Sequence, residues 1–252
     1  MNFHRPLVLC AGLILLWQLL VSLTGVPPYI LPGPLPVAQT AVAHHQMLFS
    51  HLGVTVSEIL LGLLLGATLG MSAALVMILS PLLKRWLLPV LVISQAVPVF
   101  AMAPILVLWL GYGMASKVAM AVLIIFFPVA SSFYSGMRRT ESDLLELARI
   151  MNAKPSAVLT AVVIPSSLPA LASGLRVATA VAPIGAVVGE WVGSSAGLGF
   201  AMLHANARMQ IDIIFFMAVH LPIPGSKTSY FYFIMTHGKP KAHDRSSLIM
   251  LK

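Results

Sequence analysis

Three acidic residues lie within six positions of an otherwise apolar chain, in the segment TESDLLELARIMNAKPSAVLTAVVIP at 140–165. They are Glu141, Asp143 and Glu146, and the whole 252-residue chain has only seven Asp and Glu residues. Carboxylates outside the hydrocarbon of a membrane form charge-assisted hydrogen bonds and ion pairs with partner proteins. This segment is therefore a candidate docking surface, and we predict no catalytic residues in it.

Local signals in this segment predict two short helices joined by a tight turn. Thr140 begins a capping-box-like sequence that is typical of a helix start. Asn152 suits the left-handed turn after a helix. Pro155 suits the first position of a second helix, about 155–163, which Pro165 would end. The apolar residues of the first helix share one face: Leu144, Leu147, Ala148 and Met151. This hairpin either lies on the lipid surface or fits a groove of a cytoplasmic partner.

Three further polar residues fall at or within apolar runs. Glu58 opens one run, Glu190 closes another, and Gln95 lies inside a third. Polar side chains at membrane depth are costly, so they are candidates for contact with a transported solute. We predict that these three line a translocation pathway. The alternatives are cheap exposure at the membrane interface for the glutamates and an interhelical hydrogen bond for Gln95.

Several kinds of chemistry lack their motifs in this sequence. There is no HExxH pattern for a zinc hydrolase and no GxxxxGK[ST] loop for nucleotide phosphates. The one cysteine, Cys10, cannot form an internal disulfide or a thiolate cluster. We therefore predict no metal site and no cofactor on this chain, and an integral-membrane enzyme is disfavoured.

The composition predicts that these residues are positioned by membrane-spanning helices. The chain is 59% apolar and 9% charged, with a mean hydropathy of +0.95. About 20 apolar residues in a helix cross a bilayer. The fold class is therefore predicted to be an all-α, polytopic membrane protein with five clear spans and an incomplete sixth. The predicted spans are about 7–24, 54–79, 87–110, 116–135 and 168–190, with 211–219 beginning the sixth; loops are predicted at 25–53 and 191–210.

Glycines and prolines predict how two of these spans behave. Gly62, Gly66 and Gly70 lie four residues apart, which places them on one helix face where another helix can approach closely. Pro98 lies inside the third span, together with two other prolines, so that span is predicted to be kinked or interrupted.

The positions of Lys and Arg predict the orientation. The net charge of +8 is placed between spans, which is topology information and not a nucleic-acid signature. Basic residues favour the cytoplasmic side. We therefore predict a cytoplasmic N-terminus and a cytoplasmic position for the two helices at about 140–165. The basic residues on that side are Arg5, Lys84, Arg85, Arg138, Arg139, Arg149 and Lys154.

The end of the chain is atypical. Residues 1–219 are predicted to form one transmembrane domain, and 220–252 a polar tail. The apolar run of 211–219 is short and is followed by Pro222, Pro224 and Lys227, which are costly at membrane depth. We interpret the tail as truncated or altered in reading frame, so a non-functional remnant is one alternative.

The hairpin resembles a motif of ABC-importer membrane subunits, E-A-A, three residues, G, nine residues, I-x-L-P. Here it is spelled Glu146, Leu147, Ala148, then Asn152, then Val162, one further residue, Ile164 and Pro165. Every interval fits. The departures are Leu147 for Ala, Asn152 for Gly, Val162 for Ile and Ile164 for Leu, and Asn152 replaces the residue that makes the turn easy.

Other stretches are similar to the subgroup that imports nitrate, sulfonates, taurine, bicarbonate or pyrimidine precursors of thiamine. They are YILPGPLPVAQT at 29–40, LPALASGLRVA at 168–178 and VGEWVGSSAGLGFAM at 188–202. Two segments, at 92–113 and 182–199, are most similar to the hydroxymethylpyrimidine importers.

The resemblance implies a permease subunit in the bacterial inner membrane. It implies a homodimer, an ABC ATPase subunit that binds ATP, a periplasmic substrate-binding protein, and coupling through the motif residues. A self-contained channel or secondary transporter is the alternative, and it would need no ATPase.

Overall fold

The computed structural model describes residues 4–220 apart from Val97, and every regular element in that part is a helix. The all-α prediction for a polytopic membrane protein is therefore confirmed. The predictions for the tail beyond His220 lie outside the described residues. The helices are α1 His4–Thr24, α2 Pro34–Ala43, α3 His45–Leu79, α4 Pro81–Ala96, α5 Val99–Leu110, α6 Met114–Arg138, α7 Ser142–Ile150, α8 Pro155–Val158, a π-helical turn Leu159–Val163, α9 Ile164–Gly193, α10 Leu198–Ala207 and α11 Ile211–His220.

Three helices are long and apolar enough to cross a membrane: α3, α6 and the continuous helix Pro155–Gly193. Ala11–Thr24 and Phe100–Leu110 are shorter apolar helices. The count of five spans stays a prediction. The predicted break in the third span is confirmed: α4 ends at Ala96, and Pro98 is the N-cap of α5.

The core lies where α6 packs against both α3 and α9. Its fully buried residues are Ile59, Ala121, Ile125, Val129, Ala178, Ala182 and Ala186. The three alanines of α9 lie four residues apart, and a Cβ at Gly185 would come within 2.8 Å of the Cα of Ala121. Small residues on α9 therefore let its backbone approach α6, which is how spans associate where no water drives them together.

Two predicted loops contain helices, so these predictions are wrong. α2 and the first turns of α3 occupy much of 25–53, and α10 occupies half of 191–210. Pro34 stands at the first position of α2, where the missing N–H costs nothing. The segment between the second and third predicted spans is also helical, because Pro81 begins α4 in the same way. Hydropathy finds the part of a helix that lipid covers, whereas these helices form outside or extend beyond that part.

Candidate functional site

The hairpin of residues 140–165 begins one residue later than predicted. The N-cap of α7 is Glu141, and no side chain caps the helix. The hydroxyl of Thr140 instead donates to the carbonyl of Met137 over 2.9 Å and lies 3.1 Å from the hydroxyl of Ser166. The predicted cap at Thr140 is wrong because its hydroxyl is already used at the end of α6.

The turn of the hairpin has the predicted left-handed residue. Asn152 has a φ of 52°. The N–H of Asn152 donates to Arg149 over 2.9 Å, and the N–H of Ala153 donates to Ala148 over 3.0 Å. These two bonds form a Schellman motif, which satisfies carbonyls that the helix end would leave free. Asn is among the few non-glycine residues that adopt this conformation readily, so the departure from Gly keeps the turn.

The second arm of the hairpin does not end at Pro165, contrary to the prediction. α8 passes through the π-helical turn into α9, and the N–H of Ile164 donates to the carbonyl of Leu159, five residues earlier. A proline lacks an N–H, and its ring crowds the carbonyl four residues before it. A π-helical turn alters that spacing locally, and Pro165 then lies in the first turn of α9. The arm and the span are consequently one helix, Pro155–Gly193.

The motif residues divide between the protein core and solvent. Ala148 is buried, whereas Val162 and Ile164 are half-buried. Ile164 packs, with Val163, on a cluster that includes Phe133 and Met137. The remaining motif residues are exposed: Glu146, Leu147, Asn152 and Pro165.

Most of the predicted apolar face of α7 is left exposed by the part of the chain that the structure describes. Leu147 is 53% exposed and Met151 72%, and Ile150 beside them reaches 83%. Glu146 is exposed on the same helix. A short helix therefore presents large apolar side chains next to an acidic one, an arrangement that suits a groove of another protein.

A second cluster of polar residues lies near the other end of the spans. The Nζ of Lys117 is 3.2 Å from Oε1 of Glu58, and Glu190 is the other charged neighbour of Glu58. Glu58 is 0% exposed, Glu190 1% and Lys117 6%. Glu58 thus has a cation, Lys117, and a second carboxylate, Glu190, as its charged neighbours, and the three residues come from α6, α9 and α3 itself. The expected interfacial exposure of the two glutamates is wrong.

Glu190 also holds the start of α10. Its carboxylate accepts a hydrogen bond from the hydroxyl of Thr55 over 2.6 Å and another from the backbone N–H of Gly199. The hydroxyl of Thr55 in turn accepts the N–H of Leu198 over 2.8 Å. A carboxylate at a helix N-terminus satisfies free N–H groups and suits the positive end of the helix dipole. Glu190 and Thr55 therefore fasten α10 to α3 and α9.

Sequence reasoning did not single out Lys117, which lies at the start of the predicted span of about 116–135. The structure places Lys117 in the first turn of α6, close to the backbone of α9. A Cβ at Gly189 of α9 would lie 3.2 Å from the Cα of Lys117. The available signal was a single lysine just inside an apolar run, with a buried glutamate needed elsewhere to pair with it.

The three glycines of α3 face α6. A Cβ at Gly62 would lie 2.5 Å from the Cβ of Ala121, one at Gly66 would lie 2.7 Å from Cγ2 of Ile125, and one at Gly70 would lie 2.9 Å from the Cβ of Val129. Real side chains essentially never approach so closely. α3 and α6 can be this close only because these positions have no side chain.

The third predicted pathway residue, Gln95, lies in α4, but its side chain is outside the described part of the chain. Gln95 and the two buried glutamates are therefore not brought together by the described contacts. Pathway contact stays a prediction for all three.

The known proteins most informative about this chain are bacterial permeases. A probable ABC transporter permease protein of Haemophilus influenzae is 54% identical over 211 residues, which cover 84% of this chain and 86% of that one. The formylaminopyrimidine transport permease ThiX of Halalkalibacterium halodurans is 38% identical over 197 residues, 78% of each chain. The protein of Bacillus subtilis with the name "Putative aliphatic sulfonates transport permease protein SsuC" is 31% identical over 232 residues, which cover 91% of this chain and 84% of that one.

Helical fold and relatives together define the class: a multi-pass transport subunit of the inner membrane. Residues 47–235 match the family described as binding-protein-dependent transport system inner membrane component. The chain belongs to this family, the permeases of ABC transporters.

Proposed function

We propose that this chain forms the translocation pathway of a binding-protein-dependent importer and that its coupling hairpin docks on a separate ATPase, to which ATP binds. The observation that carries the proposal is the exposed apolar face of α7. A tight turn joins α7 to the helix Pro155–Gly193, which continues into a span. Two copies of the chain would form the pathway, and a periplasmic binding protein would deliver the solute.

The exposed face of α7 offers enough apolar surface for such docking. Burying one large aliphatic side chain contributes about 1.5–3 kcal/mol, and Leu147, Ile150 and Met151 are each more than half exposed. Glu146 and Arg149, both exposed, add charges that fix the register of a partner. The bilayer is the other surface that could cover this face, but it offers no specific partner for the carboxylate of Glu146.

The continuity of α8 with α9 gives the hairpin a route into the membrane. Val163 and Ile164 pack on the core at the start of α9. Near the end of α9, Glu190 accepts a hydrogen bond from the first turn of α10. These positions are separated by roughly 40 Å of helix at about 1.5 Å per residue. Displacement of the hairpin by the ATPase would move one helix and, through it, the far end of the bundle.

Charge reversal at Glu146 tests the docking. We expect Glu146→Lys to lower the amount of ATPase that co-purifies with the permease by about tenfold, which corresponds to about 1.4 kcal/mol. The matched control is Glu141→Lys, which makes the same change at the exposed N-cap of α7, outside the motif. If both variants retain the ATPase equally, this face of α7 does not dock it.

The same preparation distinguishes an importer from a channel or secondary transporter. Vesicles that contain the permease alone should not accumulate solute, whereas vesicles with the ATPase, the binding protein and ATP should. Accumulation without the ATPase would contradict the proposed function.

We propose further that the N-terminus is cytoplasmic, on the same side as the coupling hairpin. Basic residues at that end support this orientation, since Lys84 lies in the first turn of α4 and Arg138 ends α6. Protease cleavage within the hairpin from the periplasmic side would contradict it.

For the solute, we propose a pyrimidine precursor of thiamine, and otherwise a sulfonate, taurine or nitrate. The likeness to ThiX supports the pyrimidine, and the likeness to SsuC supports the second choice. Thermal-shift measurements on the binding protein encoded beside this permease would decide between them, because a specific solute raises the unfolding temperature of its binding protein.

A further inference from the structure

Two cations of different helices lie against one aromatic ring at the end of the bundle that carries the hairpin. The Nζ of Lys84 and the Cζ of Arg138 are each 5.9 Å from the centre of the Tyr134 ring. Tyr134 is 6% exposed and belongs to a buried cluster of α3, α4 and α6. Contact with a ring face holds a cation in place, so the ring sets the positions of both charges.

The described part of the chain does not balance these charges with acidic partners. Among residues 4–220 with described side chains, the ion pair found is that of Lys117 with Glu58, and neither Lys84 nor Arg138 takes part in one. The first turn of α4 contains Lys84 and Arg85 but no acidic residue. Arg138 suits the C-terminal end of α6, whereas Lys84 lies at the positive end of a helix, where a cation is unfavourable. An anion from outside the chain would relieve this repulsion.

The turns of α4 on either side of Lys84 also carry large exposed apolar side chains. Leu82 is 67% exposed, Leu83 45% and Trp86 71%. Tyr134 lies about one helical turn before the end of α6, so the cations are at about the depth where a span leaves the hydrocarbon. Exposed leucines beside a tryptophan at that depth are typical of side chains that contact lipid.

We propose that Lys84, Tyr134 and Arg138 form a binding site for the phosphate headgroup of an anionic phospholipid. The two cations pair with the phosphate, and the acyl chains lie along Leu82, Leu83 and Trp86. Basic pockets between spans recognise anionic headgroups in this way. The ATPase is the less suitable partner. A water-soluble protein could pair with the two cations, but it would not contact the exposed apolar side chains of α4, which would then have no role in the site.

Native mass spectrometry of the full-length permease in a neutral detergent tests the proposal. Phosphatidylglycerol is titrated against phosphatidylcholine of the same acyl chains. For the wild type we expect at least tenfold tighter binding of phosphatidylglycerol. The double variant Lys84→Gln/Arg138→Gln should reduce this preference to about twofold or less. The matched control Arg149→Gln/Lys154→Gln removes the same charge from the hairpin and should keep the preference.

Three outcomes would overturn the proposal. The first is an equal loss of preference in both double variants, which would mean that only net charge matters. The second is unchanged lipid binding in Lys84→Gln/Arg138→Gln with loss of the co-purified ATPase, which would assign these cations to the ATPase. The third is binding of water-soluble glycerol phosphate as tightly as phosphatidylglycerol, which would show that the leucines and Trp86 do not contribute to binding. Equal unfolding temperatures in phosphatidylcholine establish that the variants fold.

Discussion

Gly66→Leu is expected to prevent the permease from accumulating as folded protein. The first carbon of the new side chain would lie 2.7 Å from Cγ2 of Ile125 and 3.4 Å from the Cα of Val122. Ile125 is fully buried, so the side chain has no space to move into, and α3 must separate from α6. Overpacking of a core costs about 1–3 kcal/mol where side chains can adjust. The new Cβ would also lie 2.8 Å from the Cβ of Ile125, which moves only with its backbone, so the cost should exceed that range.

The same helix offers a matched control for this substitution. Gly53 also lies in α3, and a Cβ there would meet nothing within 4 Å. Gly53→Leu should therefore leave the yield of monodisperse protein and its unfolding temperature nearly unchanged, whereas Gly66→Leu should lower both sharply. If Gly66→Leu gives a normal yield and unfolding temperature, the close approach of α3 and α6 does not determine stability.

Lys117→Met is expected to have the second-largest effect. It keeps an unbranched chain of similar length but removes the cation that pairs with Glu58, whose side chain is completely buried. Removing one partner of a buried ion pair costs about 3–5 kcal/mol, because the other charge stays buried without compensation. That loss is a large part of the 5–15 kcal/mol by which domains are stable.

A double variant distinguishes the lost charge from lost packing. Lys117→Met/Glu58→Gln removes both charges and should recover most of the unfolding temperature that the single variant loses. Lys154→Met, at an exposed position of the hairpin, is the control for the substitution itself. If the double variant is as unstable as the sum of the single variants, the two side chains are not energetically coupled.

Sequence reasoning predicted the helical class because hydropathy reports directly on what the bilayer demands. It failed at the ends of helices and in α2 and α10, where lipid does not select the residues. Pro165 was read as a helix end, although a π-helical turn carries the chain past it. That outcome depends on how the neighbouring helices pack, which local signals do not contain.

The two candidate regions differed in how far they could be predicted. Asn152 carries a local conformational preference, so the hairpin's turn follows from the sequence. Glu58, Lys117 and Glu190 come from three distant segments, and only the packing of α3, α6 and α9 brings them together. Each residue alone reads as an interfacial charge, and a single sequence does not say which of them meet.

The continuous helix Pro155–Gly193 has a thermodynamic consequence. It joins the hairpin to the carboxylate that caps α10, and coupling free energies act equally in both directions. Suppose that one protein binds at α10 and shifts this helix, and that a second protein binds the hairpin. The first then changes the affinity of the hairpin for the second by the same factor by which the second changes the affinity of α10 for the first. Measuring either affinity with and without the other protein present would therefore yield the same ratio.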